Sequence, residues 1–297
     1  MLKDLTTEAR NPASEDLDKL STIDFVRLVN REDAKLAAAV AEEAENIAAA
    51  IDLIVARLES GGRLIYMGAG TSGRLGVLDA SECPPTFNTD PGRVIGLIAG
   101  GSRALREAIE GAEDAADQGA GDLQAIALGE RDVVVGITAS GTAPYVLGGM
   151  QYAREIGAGT IGISCNRGSP VSTEATIAIS VVVGPEVLSG STRMKAGTAT
   201  KMVLNMLSTG AMVKLGKTYG NLMVDLQATN AKLTARAKKI VQQVTGLSLE
   251  AAGELMASCG GDVKTAIVAH QTGSSPSEAR AKLDAVGGRL RAALEPE

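Results

Sequence analysis

Five short apolar runs in the middle of the chain constrain its fold more than any other feature. They are rich in β-branched residues, and they occupy residues 63–67, 93–99, 132–138, 160–164 and 176–183. Helical patterns accompany them over residues 71–82, 102–118, 143–156 and 191–216. Strands that alternate with helices predict an α/β fold with a parallel sheet and helices on both faces, in which ligands bind outside the carboxyl ends of the strands.

Helical patterns dominate both ends of the chain. An Ala-rich pattern from Asn30 to Leu58 predicts one long helix, with Asn30 as its N-cap and Gly61 just beyond its end. From Val224 onward the pattern is all-helical. We therefore predict an N-terminal helical segment, a central α/β domain and a small C-terminal helical subdomain, over residues 1–55, 56–223 and 224–297.

The composition favours a small-molecule partner in the cytoplasm. Hydrophobic residues make up 45% of the 297 residues, but no apolar run is long enough to span a membrane, and the N-terminal segment lacks a signal-peptide pattern. A net charge of -6 and an aromatic content of 2% without Trp argue against nucleic acid. Cys83, Cys165 and Cys259 lack the spacing of a zinc or redox site, which is typical of free thiols in a reducing compartment.

The chain has a single histidine, His270, and this excludes His-rich metal sites. A Ser-His-Asp triad would have to use that residue. His270 follows a short amphipathic helical pattern, which favours an exposed histidine at a helix end. Acid-base chemistry is therefore expected from carboxylates.

The segment "MGAGTSGRLG" places Gly68, Gly70 and Gly73 at the G-x-G-x-x-G spacing, after a predicted strand and before a predicted helix. A dinucleotide-binding unit also needs an acidic residue at the end of the next strand, about 20 residues further on. That strand ends instead in Ala99 and two glycines. The loop is therefore predicted to bind a phosphate rather than a dinucleotide.

Three hydroxyl-rich turns begin predicted helices, and two of them directly follow strands. They are the glycine loop with Thr71 and Ser72, the segment "TASGTAPYV" at 138–146, and "LSGSTRMKAGTATK" at 188–201. Unpaired N–H groups at helix N-termini and short hydroxyl side chains suit phosphate oxygens. Each turn alone is better explained as a capped helix, but their recurrence reverses that preference and predicts a phosphomonoester site.

Two glutamates are candidate acid-base groups. Pro84 and Pro85 are expected to end the helix at Glu82, where the negative end of the helix dipole favours the protonated carboxyl. Glu113 lies at the boundary between the apolar and acidic faces of the predicted helix 102–118, which permits partial burial. A solvated helix-end glutamate is the alternative for Glu82, and periodicity alone favours a solvated surface position for Glu113.

Several motifs resemble those of the bacterial N-acetylmuramic acid 6-phosphate etherases, which belong to the sugar isomerase (SIS) superfamily. The motifs extend from "TTEARNPAS" to the C-terminal helices, and the most specific are "DASECPP" and "STRMKAGTA". The resemblance implies a SIS-type flavodoxin-like three-layer α/β/α fold and a homodimer. It also implies cleavage of the D-lactyl ether of N-acetylmuramate 6-phosphate to N-acetylglucosamine 6-phosphate and D-lactate.

The resemblance also implies site residues. Glu82 matches the proton donor of the family and Glu113 its second catalytic carboxylate; we assign Glu82 as acid and Glu113 as base, with the two roles exchangeable. Elimination and water addition need no metal or redox cofactor. Phosphate binding is assigned to the two loops that contain Gly70, Thr71, Ser72, Gly73, Ser140, Gly141 and Thr142.

Two further predictions stay open at this point. Arg193 and Lys195 are candidates for contact with the lactyl carboxylate, or for packing across a dimer. The second loop has Thr142 and Ala143 where Arg-Thr is common in the family, which leaves open which of its hydroxyls binds phosphate.

Two other functions occur in the same superfamily. A sugar-phosphate-sensing regulator, such as the vertebrate glucokinase regulatory protein, would need the loops but neither glutamate. An aldose-ketose isomerase would move a proton from C2 to C1 without releasing lactate. The presence of both Glu82 and Glu113 favours the etherase.

Overall fold

The computed structural model describes residues 5–226 and 231–295. The described residues form two compact units, one of residues 5–81 and 92–208, the other of residues 82–91, 209–226 and 231–295. Residues 227–230, which fall within the predicted C-terminal helical pattern, lie outside the described residues. The three domain boundaries predicted from the sequence stay predictions.

The first unit contains a five-stranded parallel sheet. Its strands are β1 Leu64–Gly68, β2 Val94–Ile98, β3 Val133–Ile137, β4 Gly159–Ser164 and β5 Ile177–Ser180. They lie in the order β2-β1-β3-β4-β5, and every neighbouring pair is parallel. This is the flavodoxin-like order, and it confirms the parallel α/β sheet that the apolar runs predicted.

Helices cover both faces of this sheet. Those that begin in the first unit are α1 Thr22–Asp33, α2 Leu36–Ala41, α3 Ala44–Glu59, α4 Gly70–Phe87, α5 Ala116–Ala125, α6 Pro144–Glu155, α7 Pro170–Glu174 and α8 Lys195–Lys214. A Cβ atom at Gly136 of β3 would lie 2.8 Å from the Met150 sulfur of α6. On the opposite face of the sheet, Gly159 of β4 pairs with Val133 of β3. A Cβ atom at Gly159 would lie 3.4 Å from the Leu53 side chain of α3. The three-layer α/β/α prediction is confirmed.

The prediction of one helix from Asn30 to Leu58 is wrong, because the chain forms three helices there. Ser21 caps α1 by accepting a hydrogen bond from the Asp24 N–H, and Asn30 lies inside that helix. Buried side chains recur every four residues from Leu28 to Val40, and at steps of three or four residues from there to Leu58. On one straight helix the four-residue spacing would drift by roughly 40° per step, and the breaks between α1, α2 and α3 turn the buried face back towards the core.

The helix predicted over residues 102–118 is also wrong. Short 3₁₀ turns cover Gly101–Leu105 and Ala112–Asp114, and α5 begins only at Ala116. Gly111 interrupts the pattern with a left-handed φ of 71°. Side-chain periodicity could not show this break, because glycine tolerates both helical and left-handed backbone. Glu113 therefore lies in a turn rather than on a helix face.

The expected end of α4 at Glu82 is wrong as well, since the helix continues through Pro84 and Pro85 to Phe87. The N–H of Asn88 donates to the Pro84 carbonyl oxygen at 2.9 Å, which shows that helical geometry persists there. Each proline removes one backbone donor, but buried side chains such as Phe87 hold the last turn in place. The argument that placed Glu82 at the negative end of a helix dipole no longer holds.

The second unit has its own hydrophobic core around one central helix. It contains α9 Ala231–Thr245, α10 Leu249–Ser258, α11 Val263–Thr272, α12 Pro276–Ala285 and α13 Leu290–Leu294. Seven consecutive residues of α11 are buried, from Val263 to Ala269, so this helix is surrounded on all sides. The next residue, His270, is exposed in the last turn, as predicted. Among the described residues, no helix has the length and hydropathy needed to cross a membrane.

Candidate active site

A cavity of about 370 Å³ opens at the carboxyl ends of β1 and β3. These strands flank the point where the strand order reverses, the usual ligand site of such sheets. The cavity is lined by Glu8, Ala69, Gly70, Thr71, Ser72, Glu113, Ile137, Thr138, Ala139, Ser140, Thr142, Ala143 and Thr192. Both predicted phosphate loops and one of the two predicted carboxylates thus meet in one cavity.

The first loop brings the N-terminus of α4 to the cavity. A Cβ atom at Gly73 would lie 2.5 Å from the carbonyl oxygen of Gly68 and 2.6 Å from a side-chain carbon of Ile98, so glycine is needed for this close packing. Thr71 and Ser72, in the first turn of α4, line the cavity. The first N–H groups of a helix have no partner within the helix, and an anion can bind to them.

The second loop presents a row of three hydroxyls. The Ser140 Oγ lies 2.9 Å from the Thr142 Oγ1 and 3.3 Å from the Thr138 Oγ1. Gly141 has a left-handed φ of 83°, and a Cβ atom there would lie 2.2 Å from the Ser169 Cβ, so the loop requires glycine at this position. Because hydroxyl protons rotate, this row can donate to phosphate oxygens without supplying a positive charge.

Glu113 is the carboxylate on the cavity wall whose titration is perturbed. Its side chain keeps contact with solvent at the cavity, but the surrounding protein displaces part of its hydration. This burial raises the pKa of the Glu113 carboxyl above that of an ordinary glutamate, and the negative charge of Asp114 raises it further. A carboxylate with a raised pKa is a stronger base, and its acid form is more readily populated.

The other predicted residues do not line the cavity. Glu82 is exposed near the end of α4, and Arg193 is exposed beside Thr192, which does line it. Lys195 is almost fully buried and forms an ion pair with Glu32. Gly73 and Gly141 do not line the cavity themselves. They allow the close packing and backbone conformation of the two loops that do line it.

The third hydroxyl-rich helix start is occupied by the protein itself. The two carboxylate oxygens of Glu186 accept hydrogen bonds from the N–H groups of Lys195 and Ala196, each at 2.9 Å. Glu186 is fully buried. The N-terminus of α8 therefore holds an internal carboxylate, which leaves the N-terminus of α4 and the second loop as the candidate phosphate-binding elements.

Sequence reasoning missed Glu8, Thr138 and Thr192. Thr138 and Thr192 belong to the two later hydroxyl-rich segments, so the recurrence of hydroxyls was the available signal. Glu8 lies in a 3₁₀ turn, Thr6–Glu8, within an irregular segment that has neither helical nor strand periodicity. Within the described residues, no three His, Cys, Asp or Glu side chains converge as candidate metal ligands.

The fold and the cavity together define a SIS domain. A family model described as the glucokinase regulatory protein N-terminal SIS domain matches residues 46–154, and a SIS domain model matches residues 110–210. The solved structure of a protein from Escherichia coli CFT073 has a TM-score of 0.50 and 17% identity, over 68% of this chain and 97% of that chain. At this identity the likeness concerns the fold alone.

Relatives that match along the whole chain identify the family. An N-acetylmuramic acid 6-phosphate etherase of Rhodopirellula baltica is 58% identical over 97% of this chain and 96% of its own length. The proteins of the same name from Cronobacter sakazakii and Salmonella agona are each 57% identical, over 99% and 98% of both chains. The chain belongs to the N-acetylmuramic acid 6-phosphate etherase family, which confirms the resemblance inferred from its motifs.

The buried ion pair of Lys195 joins α8 to the end of α1. Its Nζ lies 2.9 Å from a Glu32 oxygen, and the two side chains are only 2% and 6% exposed. Burial by itself would raise the pKa of Glu32, but hydrogen bonds from Lys35, Lys195 and Asn11 outweigh it and lower the pKa to about 2. Glu32 thus stays ionised inside the protein because these three hydrogen bonds compensate its carboxylate for the loss of hydration.

We expect the Lys195→Met variant to lose about 3–5 kcal/mol of unfolding free energy, because it removes the buried cation that pairs with the buried Glu32 charge. The Lys35→Met variant is the matched control: it removes the same charge from the same partner, but Lys35 is 64% exposed, so a loss below about 1 kcal/mol is expected. Urea unfolding measures both. Equal losses would contradict the role assigned to the buried pair.

Glu32 also predicts how stability depends on pH. Because its pKa falls from 4.5 to about 2 on folding, its contribution is complete above about pH 4.5 and is lost as the pH falls towards 2. This loss should be smaller in Lys195→Met than in the wild-type protein, as measured by urea unfolding at a series of pH values.

Proposed function

We propose that this chain cleaves the D-lactyl ether of N-acetylmuramic acid 6-phosphate, giving N-acetylglucosamine 6-phosphate and D-lactate. One observation carries the proposal. In a chain 57–58% identical to etherases of that name, two phosphate-type loops and a carboxylate with a raised pKa line one cavity. The reaction class is a carbon-oxygen lyase that acts by elimination and water addition.

The phosphate of the substrate is proposed to bind between the two loops. The N–H groups at the start of α4, with Thr71 and Ser72, donate from one side. The hydroxyls of Ser140 and Thr142 donate from the other. The 2.9 Å contact between these two hydroxyls supports Ser140 and Thr142 acting together, so that neither has to be the single phosphate ligand of the loop.

Glu113 is proposed as the base that removes the C2 proton of the open-chain sugar. That proton is adjacent to an aldehyde, so its removal gives an enolate. The lactyl oxygen on C3 then leaves with a proton, and water adds to the unsaturated intermediate to restore a C3 hydroxyl. The raised pKa of Glu113 suits this step, because a stronger base gives a larger driving force for transfer of the C2 proton.

Glu82 is proposed as the proton donor to the departing lactate. This assignment rests on the match of the "DASECPP" motif to the etherases and on no distance measured in the structure. The roles of Glu82 and Glu113 stay exchangeable. No step requires a metal ion or a redox cofactor, since carboxylates can carry out the proton transfers that accompany C3–O cleavage and water addition, and no step changes the overall oxidation state.

Incubation with N-acetylmuramic acid 6-phosphate in H₂¹⁸O tests the reaction. We expect lactate release with the label at C3 of the sugar. Glu113→Gln should slow lactate release by about 10²–10⁴-fold, because the C2 proton loses its base. Glu110→Gln is the control, since Glu110 is an exposed acid of the same segment that does not line the cavity.

Three outcomes would count against the proposal. Label in the lactate would indicate cleavage on the lactyl side, and proton exchange without lactate would indicate an isomerase. Binding without any turnover would favour a sugar-phosphate sensor.

The pH profile identifies the role of Glu113. Asp114→Asn removes a negative charge that helps to raise the pKa of Glu113, so this pKa should fall. If Glu113 is the base, the acid limb of the kcat/KM profile moves to lower pH, whereas Asp117→Asn, on an exposed residue of α5, should leave it in place. Movement of the alkaline limb would exchange the two roles, and no movement of either limb would contradict a catalytic role for Glu113.

We also propose that the protein acts as a homodimer in the cytoplasm. Ile23 and Val26 of α1 are 54% and 53% exposed, and both lie on the side of the helix away from the buried Leu28. Exposed apolar side chains that share one helix face commonly pack against a second chain.

The proposed substrate, a phosphorylated sugar of the bacterial cell wall, places the reaction in N-acetylmuramate catabolism, by peptidoglycan recycling or from imported sugar.

The molar mass in solution tests the dimer. We expect light scattering to give twice the mass of the chain, and an Ile23→Glu, Val26→Glu double variant to give the mass of one chain, because charged groups cannot be buried unpaired at the interface. Leu249→Glu is the control, since Leu249 of α10 is 51% exposed but lies on another element. Dissociation by Leu249→Glu alone would contradict an interface on α1.

A further inference from the structure

The cavity wall carries a second carboxylate besides Glu113, that of Glu8, which the proposed reaction has not yet used. We propose that Glu8 is a catalytic residue that opens the pyranose ring of the sugar phosphate and so supplies the aldehyde on which elimination depends. The inference rests on the proposed function, since it assigns a residue to an earlier step at the same site.

Ring opening is a chemical requirement of the proposed reaction. A 6-phosphorylated amino sugar is mostly a cyclic hemiacetal in water, and its C2 proton becomes acidic only when C1 is a carbonyl. Opening the ring needs a group that takes the proton from the O1 hydroxyl and a source of a proton for O5. An enzyme that holds the ring form must therefore provide a base close to C1.

Only two residues on the cavity wall can serve as that base. Of the described residues that line the cavity, Glu8 and Glu113 alone have side chains that titrate, and the others are apolar, glycine or hydroxyl residues. No histidine lines it. Because Glu113 is assigned to the C2 proton, Glu8 is the group left for the O1 proton.

The chain holds Glu8 in place through its two preceding residues. The Asn166 Oδ1 accepts hydrogen bonds from the Thr6 N–H at 2.8 Å and from the Thr6 hydroxyl at 2.9 Å. The Asn166 Nδ2 donates to the Thr7 hydroxyl at 3.2 Å, and Thr7 is completely buried. Glu8 is therefore presented to the cavity by a fixed turn, although the segment looks irregular in the sequence.

The same asparagine ties this turn to the second loop. The Asn166 Nδ2 also donates to the Ala139 carbonyl oxygen at 3.0 Å, next to Ser140, and Asn166 is only 4% exposed. On its other side, a Glu8 oxygen would lie 3.6 Å from a Cβ atom at Gly190, in the segment that leads to Thr192. The turn that carries Glu8 is thus tied to the second loop through Asn166, and its carboxylate lies near the segment that leads to Thr192.

The step balances without any further reactant. The Glu8 carboxylate takes the proton from O1 while the O1–C1 bond becomes a carbonyl. The C1–O5 bond breaks, its electron pair moves to O5, and the new Glu8 carboxyl gives its proton to O5, either directly or through a relaying water molecule. The net change is an isomerisation from the ring to the open chain, and Glu8 returns to its starting form.

The test separates ring opening from elimination by using N-acetylglucosamine 6-phosphate labelled with ¹³C at C1. This sugar has no lactyl group, but its α and β anomers interconvert only through the open chain, so exchange NMR measures ring opening directly. We expect the wild-type protein to accelerate the exchange. Glu8→Gln should reduce the enzyme-catalysed exchange at least about tenfold, and Glu8→Asp should restore part of it.

Two variants complete the experiment. Glu113→Gln should keep the anomer exchange while it loses lactate release from N-acetylmuramic acid 6-phosphate. Glu15→Gln makes the same change at an exposed glutamate of the same N-terminal segment, outside the cavity, and should behave as wild type in both assays. Glu8 is exposed, so its variants are expected to fold, which circular dichroism checks.

The results distinguish the two proposals. Wild-type anomer exchange in Glu8→Gln, or no acceleration by the wild-type protein, would overturn the role of Glu8 and leave the lyase reaction untouched. Exchange that depends on Glu8 in a protein that releases no lactate would support ring opening and overturn the proposed lyase function.

Discussion

The close contact between α4 and the end of β1 is the constraint on which the cavity depends. Gly73 has no room for a side chain against the carbonyl oxygen of Gly68, so the helix begins directly beside the strand. The first turn of α4 therefore points at the carboxyl end of the sheet, where β3 delivers the second loop beside it. A methyl group at Gly73 would push the helix away from the strand and displace Thr71 and Ser72, which line the cavity.

The cavity wall offers an anion helix dipoles and hydroxyl groups rather than positive charges. This wall has no lysine or arginine among the described residues, and two carboxylates lie on it. The fold could have offered a third helix N-terminus, but Glu186 fills the start of α8. The cation that follows it, Lys195, is turned inward to Glu32. Charge is thus used to join helices inside the unit, and hydrogen-bond donors are reserved for the ligand.

The strands could be predicted from the sequence because burial on both faces demands continuous apolar runs, as in Val133–Ile137. The two loops could be predicted because glycines and hydroxyls follow strands. The predictions of helix bounds were wrong where backbone conformation or side-chain burial outweighed the periodicity of the sequence. Gly111 broke one predicted helix with a left-handed turn, and the burial of Phe87 carried α4 through two prolines.

By itself the sequence determined a parallel α/β sheet, two phosphate-type loops, the etherase family and Glu113 as a candidate, because these follow from local patterns and short motifs. Only the tertiary structure decided which distant side chains pair with one another. Asn166 and Thr6 are 160 positions apart, and Lys195 and Glu32 are 163 positions apart. Pairings over such separations depend on how the chain packs, and no local pattern encodes them. For that reason the folded structure was needed to show that Glu8 lines the cavity and that Lys195 does not.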